Sequence, residues 1–260
     1  MFYRFQTLSK KILGRTGYRF ELAPRAAGGD AGFCVWRRTL RGGDPGKRLV
    51  VVPGFGDTPL SWITFLTVLG SRRGFRQQKF GEILIVEFPG HLGSHPNSKV
   101  ISSSAELTGR FCALIDHLAP HTLLGQSMGG YLASFYAAEG SERDKLSELI
   151  LMCPSGLTGA ENTEIETVEW IKDLVDKPEA FIRKSLGMLY PLAPLRAELR
   201  RFLNRSDTHA LLKSWGVEHS MDHRIARIRT ATTLIWGERD DLIPFRMFPM
   251  WKRELRAALG

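Results

Sequence analysis

Cysteine is scarce in these 260 residues. There are three, and Cys34, Cys112 and Cys153 share no paired spacing. The chain therefore offers neither the cysteine pairs of a disulfide framework nor those of a zinc site. Each lies in or beside an apolar stretch, as buried free thiols of a reducing compartment do. Long apolar runs are missing too: no stretch of about 20 such residues could span a bilayer. The opening MFYRFQTLSKKILGR has no apolar core or small-residue cleavage site, so it does not read as a signal peptide. Neither the P-loop ending in Lys-Ser/Thr nor G-x-G-x-x-G occurs. His219 and His223 flank Asp222 at helical metal-ligand spacing, but the glutamate of H-E-x-x-H is absent. They read as surface polar residues, and no metal or organic cofactor is expected. Acidic residues are in deficit, 27 against 36 basic, for a net charge of +9. No nucleic-acid-binding motif accompanies that charge, so no nucleic-acid partner is expected.

What is present has the rhythm of an α/β protein. Strand patterns occur at 17–22, 33–39, 48–54, 82–88, 121–126, 149–154 and 232–237. The last five are nearly continuous apolar runs, the mark of parallel strands covered on both faces. The first two alternate more and carry charge, as an antiparallel edge hairpin would. Helical patterns separate the apolar strands. Ser103 and Glu106 form an S-x-x-E capping signal, and a second helix should begin at Met128. Alternation of this kind predicts a doubly wound, mostly parallel sheet. From 157 to 222 strand patterns stop, and amphipathic pieces are broken by Pro178, Pro191 and Pro194. This stretch reads as a helical lid inserted in a core formed by 1–156 and 223–260. At the N-terminus, Phe2, Phe5, Leu8 and Ile12 alternate with Arg4, Lys10, Lys11 and Arg15, a pattern compatible with weak peripheral membrane contact. The expected location is cytoplasmic, with that membrane-peripheral option.

Three turns carry chemistry. In HTLLGQSMGG (121–130) a strand runs into Gly125-Gln126-Ser127-Met128-Gly129, which fits G-x-S-x-G, and then into a helix. Such a turn lifts a serine hydroxyl out of the sheet and aims the next N–H, that of Met128, at a developing oxyanion. VVVPGFGDTPLSW (50–62) is a second glycine-rich turn after a strand. Its Gly54-Phe55-Gly56 can bring the Phe55 N–H opposite that of Met128. LIWGERDDLIP (234–244) follows a third strand and offers Asp240 and Asp241, either of which could orient a histidine.

The set VVPGFGD, EFPGHLGSHP, LLGQSMGG, LILMCPSGL and LIWGERDDLIP, in this order over nearly the whole chain, resembles the α/β-hydrolase superfamily. Within it, CPSGL and MDHRIARIRTATTLIWGERD are similar to segments of monoacylglycerol lipase and esterase-like members. The resemblance implies an α/β-hydrolase fold and a serine hydrolase acting on a small-molecule ester with a hydrophobic acyl group. It makes Ser127 the nucleophile, Phe55 and Met128 the oxyanion donors, and Asp240 the acid, since the family spacing is W-G-x-x-D. Gly54, Gly56 and His91 become pocket candidates. One departure is Pro53, where the family usually has histidine. A non-catalytic binding protein on the same fold and an acyltransferase are the alternatives.

The general base is the gap in this pattern. In the family it follows the last strand, beyond the acid, yet DLIPFRMFPMWKRELRAALG after Asp240 contains no histidine and reads as a loop and one amphipathic helix. The expectation is therefore that the sequence given stops before the final strand and its histidine. A shortened inactive relative and a displaced base are the other readings. Of the seven histidines, His91 follows a strand and so lies at the carboxyl edge of the sheet. His95 shares its loop, His117 and His121 precede the serine's strand, and His209, His219 and His223 belong to the lid or its return.

Overall fold

The computed structural model describes residues 11–23, 33–73, 77–89, 101, 103–157, 176–186, 191, 193–214, 220–240 and 242–259. In chain order the strands are β1 (Arg19–Leu22), β2 (Cys34–Thr39), β3 (Asp44–Val52), β4 (Phe80–Glu87), β5 (Thr122–Gln126), β6 (Glu148–Met152) and β7 (Ala231–Ile235). The helices are α1 (Pro59–Ser71), α2 (Ser104–Leu118), α3 (Met128–Glu139), α4 (Pro178–Leu186), α5 (Ala193–Leu203), α6 (Ser206–Lys213) and α7 (Met247–Leu259). None of the described helices is long and apolar enough to cross a membrane.

The strands form one sheet in the order β1-β2-β4-β3-β5-β6-β7. Pairing is parallel from β4 through β3, β5 and β6 to β7, and antiparallel for β1 with β2 and β2 with β4. The charged N-terminal pair is thus antiparallel, as the alternation predicts, but only β1 is an edge. β2 is interior, and its Arg37 is held by Glu21 on β1 and Glu82 on β4.

The apolar runs divide their residues between two faces with period two. Val50 and Val52 face a core built with α2, α3 and α7, where Phe111, Leu114, Tyr131 and Trp251 are fully buried. Leu49 and Val51 face the other side, against Leu13, Tyr18 and the Trp62, Ile63 and Leu66 of α1. Each large apolar side chain buried this way contributes about 1.5–3 kcal/mol. β7 departs from the expectation of a strand covered on both faces. It is the edge opposite β1, its residues alternate between exposed and half-buried, and Ile235 is 44% exposed.

Local signals account for the helix starts. Ser103 caps α2, its hydroxyl accepting from the Glu106 N–H at 3.2 Å, while the Glu106 carboxylate reaches forward to Arg110 at 2.5 Å. Pro178 and Pro194 begin helices rather than break them: each sits in a first turn, where no backbone N–H is needed. The helical pattern at 163–175 falls outside the described residues.

Candidate active site

β5, β6 and β7 are adjacent and parallel, with Gln126 level with Met152 and Met152 level with Ile235. The residues that follow, Ser127, Cys153 and Trp236, therefore leave the sheet side by side at its carboxyl edge. The Ser127 N–H donates to the Met152 carbonyl at 3.0 Å, and the Cys153 N–H to that of Ile235 at 2.9 Å.

Ser127 adopts φ 53° and ψ −119°, a region L-residues avoid. The surrounding glycines explain how the chain tolerates it. A Cβ at Gly129 would lie 2.1 Å from the Val52 carbonyl oxygen, and one at Gly125 would lie 2.3 Å from that of Gly129. Any larger residue at either position would drive β3, β5 and α3 apart. The Ser127 carbonyl is held in turn by the N–H groups of Tyr131 at 3.0 Å and Ser155 at 3.1 Å. Met128 opens α3, so its N–H lies at the positive end of that helix.

The turn after β3 lies directly against this elbow. A Cβ built at Gly54 would stand 3.3 Å from the Ser127 Cβ and 3.3 Å from Gln126 Oε1. Gly56 takes φ +74°, which bends the turn around Phe55. Asp57 anchors the far side, accepting from Thr58 N–H at 2.7 Å, Trp62 Nε1 at 3.0 Å and the Ser61 hydroxyl. Burial raises the Asp57 carboxyl above its ordinary range, and these three donors oppose the rise.

Asp240 follows β7 in a loop closed by the Trp236 indole, whose N–H donates to the Ile243 carbonyl at 2.9 Å. One oxygen of the carboxylate, Oδ1, accepts from the N–H groups of Leu242 and Ile243, both at 2.9 Å. The Cys153 thiol neighbours the same carboxylate and is pushed up to about 11. Burial is the main cause and the Asp240 charge adds to it, against a backbone hydrogen bond from Gly237. Cys153 is a neighbour that sequence reading missed. Its position directly after β6, the strand beside the serine's own, was the available signal.

The helices between β6 and β7 reach this edge. Phe181, Ile182, Leu199, Phe202, Leu203 and Leu212 form a separate apolar cluster that also packs on Phe55 and Leu242. The Phe55 and Phe202 rings are 5.0 Å apart, and a Cβ at Gly56 would meet Leu199 at 3.2 Å. Ser127, Gly54, Phe55, Gly56, Met128 and Asp240 thus all come to one edge. His91 and Asp241 lie outside the described residues, as do His95 and His219. His121 begins β5 at the opposite end, with Nδ1 3.0 Å from Thr122 Oγ1. Among the described residues no histidine is hydrogen-bonded to Ser127 or Asp240.

No curated protein matches the chain. Solved structures do. A candidate lipase (lip1) from Acinetobacter baumannii AYE superposes with a TM-score of 0.69 at 17% identity, over 97% of this chain and 85% of that one. A membrane phospholipase A, described as a bacterial virulence factor, gives 0.64 at 18% identity, over 98% and 80%. The enol-lactonase of Burkholderia xenovorans LB400 gives 0.58 at 20% identity, over 87% and 85%. Identities this low show a shared fold and no more. The model of the alpha/beta hydrolase family matches residues 49–259, and the chain belongs to that family.

Proposed function

We propose that this chain is a serine hydrolase of carboxylic esters, with a preference for hydrophobic acyl groups. Ser127 Oγ attacks the ester carbonyl, and the N–H groups of Phe55 and Met128 hold the oxyanion. The ester C–O bond then breaks, the alcohol leaves with the proton taken from Ser127, and water releases the acid from the acyl-serine. Asp240 orients the histidine that carries the proton. No metal or organic cofactor enters this cycle.

The observation that carries this proposal is the backbone of Ser127. A serine at φ 53°, fixed between a buried strand and a helix and faced by a glycine turn so close that a Cβ at Gly54 would stand 3.3 Å from its own Cβ, is strain retained where a nucleophile is needed. Ser127 and Asp240 follow strands two places apart, about 10 Å between strand axes, room enough for one imidazole. Within the sequence given, His91 is the candidate for that imidazole. Residues 157–222 act as a lid, and their apolar cluster around Phe202 forms part of the acyl wall. The names of the structural neighbours, a candidate lipase, a phospholipase A and an enol-lactonase, agree with an ester or lactone substrate. The finer assignment, a monoacylglycerol-lipase-like esterase, rests on CPSGL and the segment before Asp240.

The test is a fluorophosphonate probe on the purified chain. Rapid labelling that disappears in Ser127→Ala supports the hydrolase, and loss of labelling in His91→Ala identifies the base. A folded chain that does not label overturns the proposal. That result favours a second reading, a binding protein on a hydrolase fold, to which the lack of a histidine bonded to Ser127 among the described residues points.

A further inference from the structure

At the end of the sheet remote from Ser127 lies a cavity of about 560 Å³ between α1 and the turn joining β2 to β3. Its size is that of a small-molecule site. Leu66, Phe80 and Ile83 contribute an apolar floor, and Arg38, Arg41 and Lys79 are its charged members. Among the described residues no acidic side chain lines it. A cavity with three cations, no carboxylate and a greasy floor fits one chemistry: an anionic head carrying an apolar tail.

The walls are built rather than incidental. The Arg38 guanidinium sits over the Tyr18 ring, 5.8 Å from its centre, which fixes its direction. The 41–43 turn is pinned onto the start of β4. The Leu40 N–H donates to the Gly81 carbonyl at 2.8 Å, and the Asp44 N–H to that of Lys79 at 2.7 Å. A Cβ at Gly43 would lie 2.0 Å from the Phe80 carbonyl oxygen, so only glycine allows this approach. Lys79 itself takes φ 53°, a left-handed conformation uncommon for lysine. Of the carboxylates three residues from these cations, Asp44 is exposed and accepts from the Gly46 N–H of its own loop at 2.8 Å, and Glu82 pairs with Arg37 and Arg48. Among the described residues neither Arg41 nor Lys79 has a carboxylate partner.

We infer that this cavity is a second binding site, separate from the serine edge, for an amphiphilic anion whose carboxylate or phosphate head meets Arg38, Arg41 and Lys79 and whose tail lies on Leu66, Phe80 and Ile83. The site does not depend on catalysis, so it is tested in Ser127→Ala.

The experiment is isothermal titration of the folded Ser127→Ala chain with dodecanoate, dodecyl phosphate, inorganic phosphate and dodecanol. The two amphiphilic anions are expected to bind, with dodecanol and inorganic phosphate each at least about tenfold weaker. The ratio of the first two identifies the preferred head. Arg41→Gln/Lys79→Gln should weaken both by at least about tenfold, the loss of a charge-assisted hydrogen bond. Thr67→Glu, an exposed change on the cavity wall, should weaken them as well. Raising salt from about 0.1 M to about 1 M, which cuts the screening length from about 10 Å to about 3 Å, should act in the same direction. Equal binding of dodecanol, equal binding of inorganic phosphate, or binding unchanged in both charge variants overturns the site. So does a set of titrations in which neither dodecanoate nor dodecyl phosphate binds. All three substituted positions are exposed, and unchanged thermal midpoints exclude misfolding as the cause.

Discussion

The Cys153 thiol feels the charge of the Asp240 carboxylate across the gap between the end of β6 and the loop after β7, and the Cys153 N–H donates to the Ile235 carbonyl at 2.9 Å. Two backbone N–H groups of the following residues, Leu242 and Ile243, hold Oδ1 of that carboxylate and fix the side chain within its own loop. In the proposed mechanism an acid held this way needs no rearrangement to stabilise an imidazolium.

This proximity has a chemical readout. With its pKa near 11, the Cys153 thiol should react slowly with iodoacetamide at pH 8, because the thiolate is the reactive form. Asp240→Asn removes the negative charge and should speed alkylation about tenfold, as one unit of pKa is tenfold in thiolate. Peptide mass spectrometry over time measures it. An unchanged rate would show that the two groups do not interact.

Glycine substitutions separate packing from propensity. Gly129→Ala places a methyl group 2.1 Å from a β3 carbonyl oxygen and should cost more than about 3 kcal/mol, enough to deplete soluble protein. Gly109 is exposed within α2, and a Cβ placed there would meet nothing within 4 Å, so Gly109→Ala should stabilise by up to about 1 kcal/mol. Urea unfolding midpoints of the two variants should move in opposite directions.

The Phe55–Phe202 contact predicts how the 176–214 helices are held. Phe202 is 5% exposed, and Phe202→Ala should cost about 3–5 kcal/mol of local packing. The loss falls on a small cluster, so these helices should open before the sheet does. Limited proteolysis should cut within 193–214 faster in the variant, while the main thermal transition shifts little. Equal cutting rates would argue that other contacts seat this region.

Alkaline pH should weaken the fold. Burial pushes the Cys112 thiol up to about 12, with Asp116 and Glu139 adding to it, and burial likewise takes Tyr18 to about 12 against the pull of Arg38. With Cys153 near 11, the folded chain holds these protons more tightly than the unfolded one, whose thiols and phenol titrate at about 8.5 and 10. Their stabilisation is therefore complete below about pH 8.5 and is lost as pH rises through about 11–12. Urea midpoints at a series of pH values should stay level and then fall in that window. Carboxylates behave oppositely at the acid end. Burial alone would raise Glu82, but Arg37 and Arg48 outweigh it and hold it below the usual range, so its contribution disappears on acidification.

Seven strand patterns in the sequence correspond to seven strands, and Ser103 and Met128 mark helix starts where the local chemistry says they should. These were legible because apolar period, caps and glycine turns act over a few residues. The glycine turn, G-x-S-x-G and W-G-x-x-D pointed to one edge for the same reason: each motif ends a strand, and parallel strands share an edge. Sequence could not reveal that β2 lies inside the sheet or that β7 is left half-covered, since both depend on which strands become neighbours. Nor could it show that Cys153 neighbours Asp240, that Phe202 seats on Phe55, or that Arg38, Arg41 and Lys79 ring one cavity. Those contacts join residues far apart in the chain, and only close packing of the folded sheet against its helices brings them within a few ångströms.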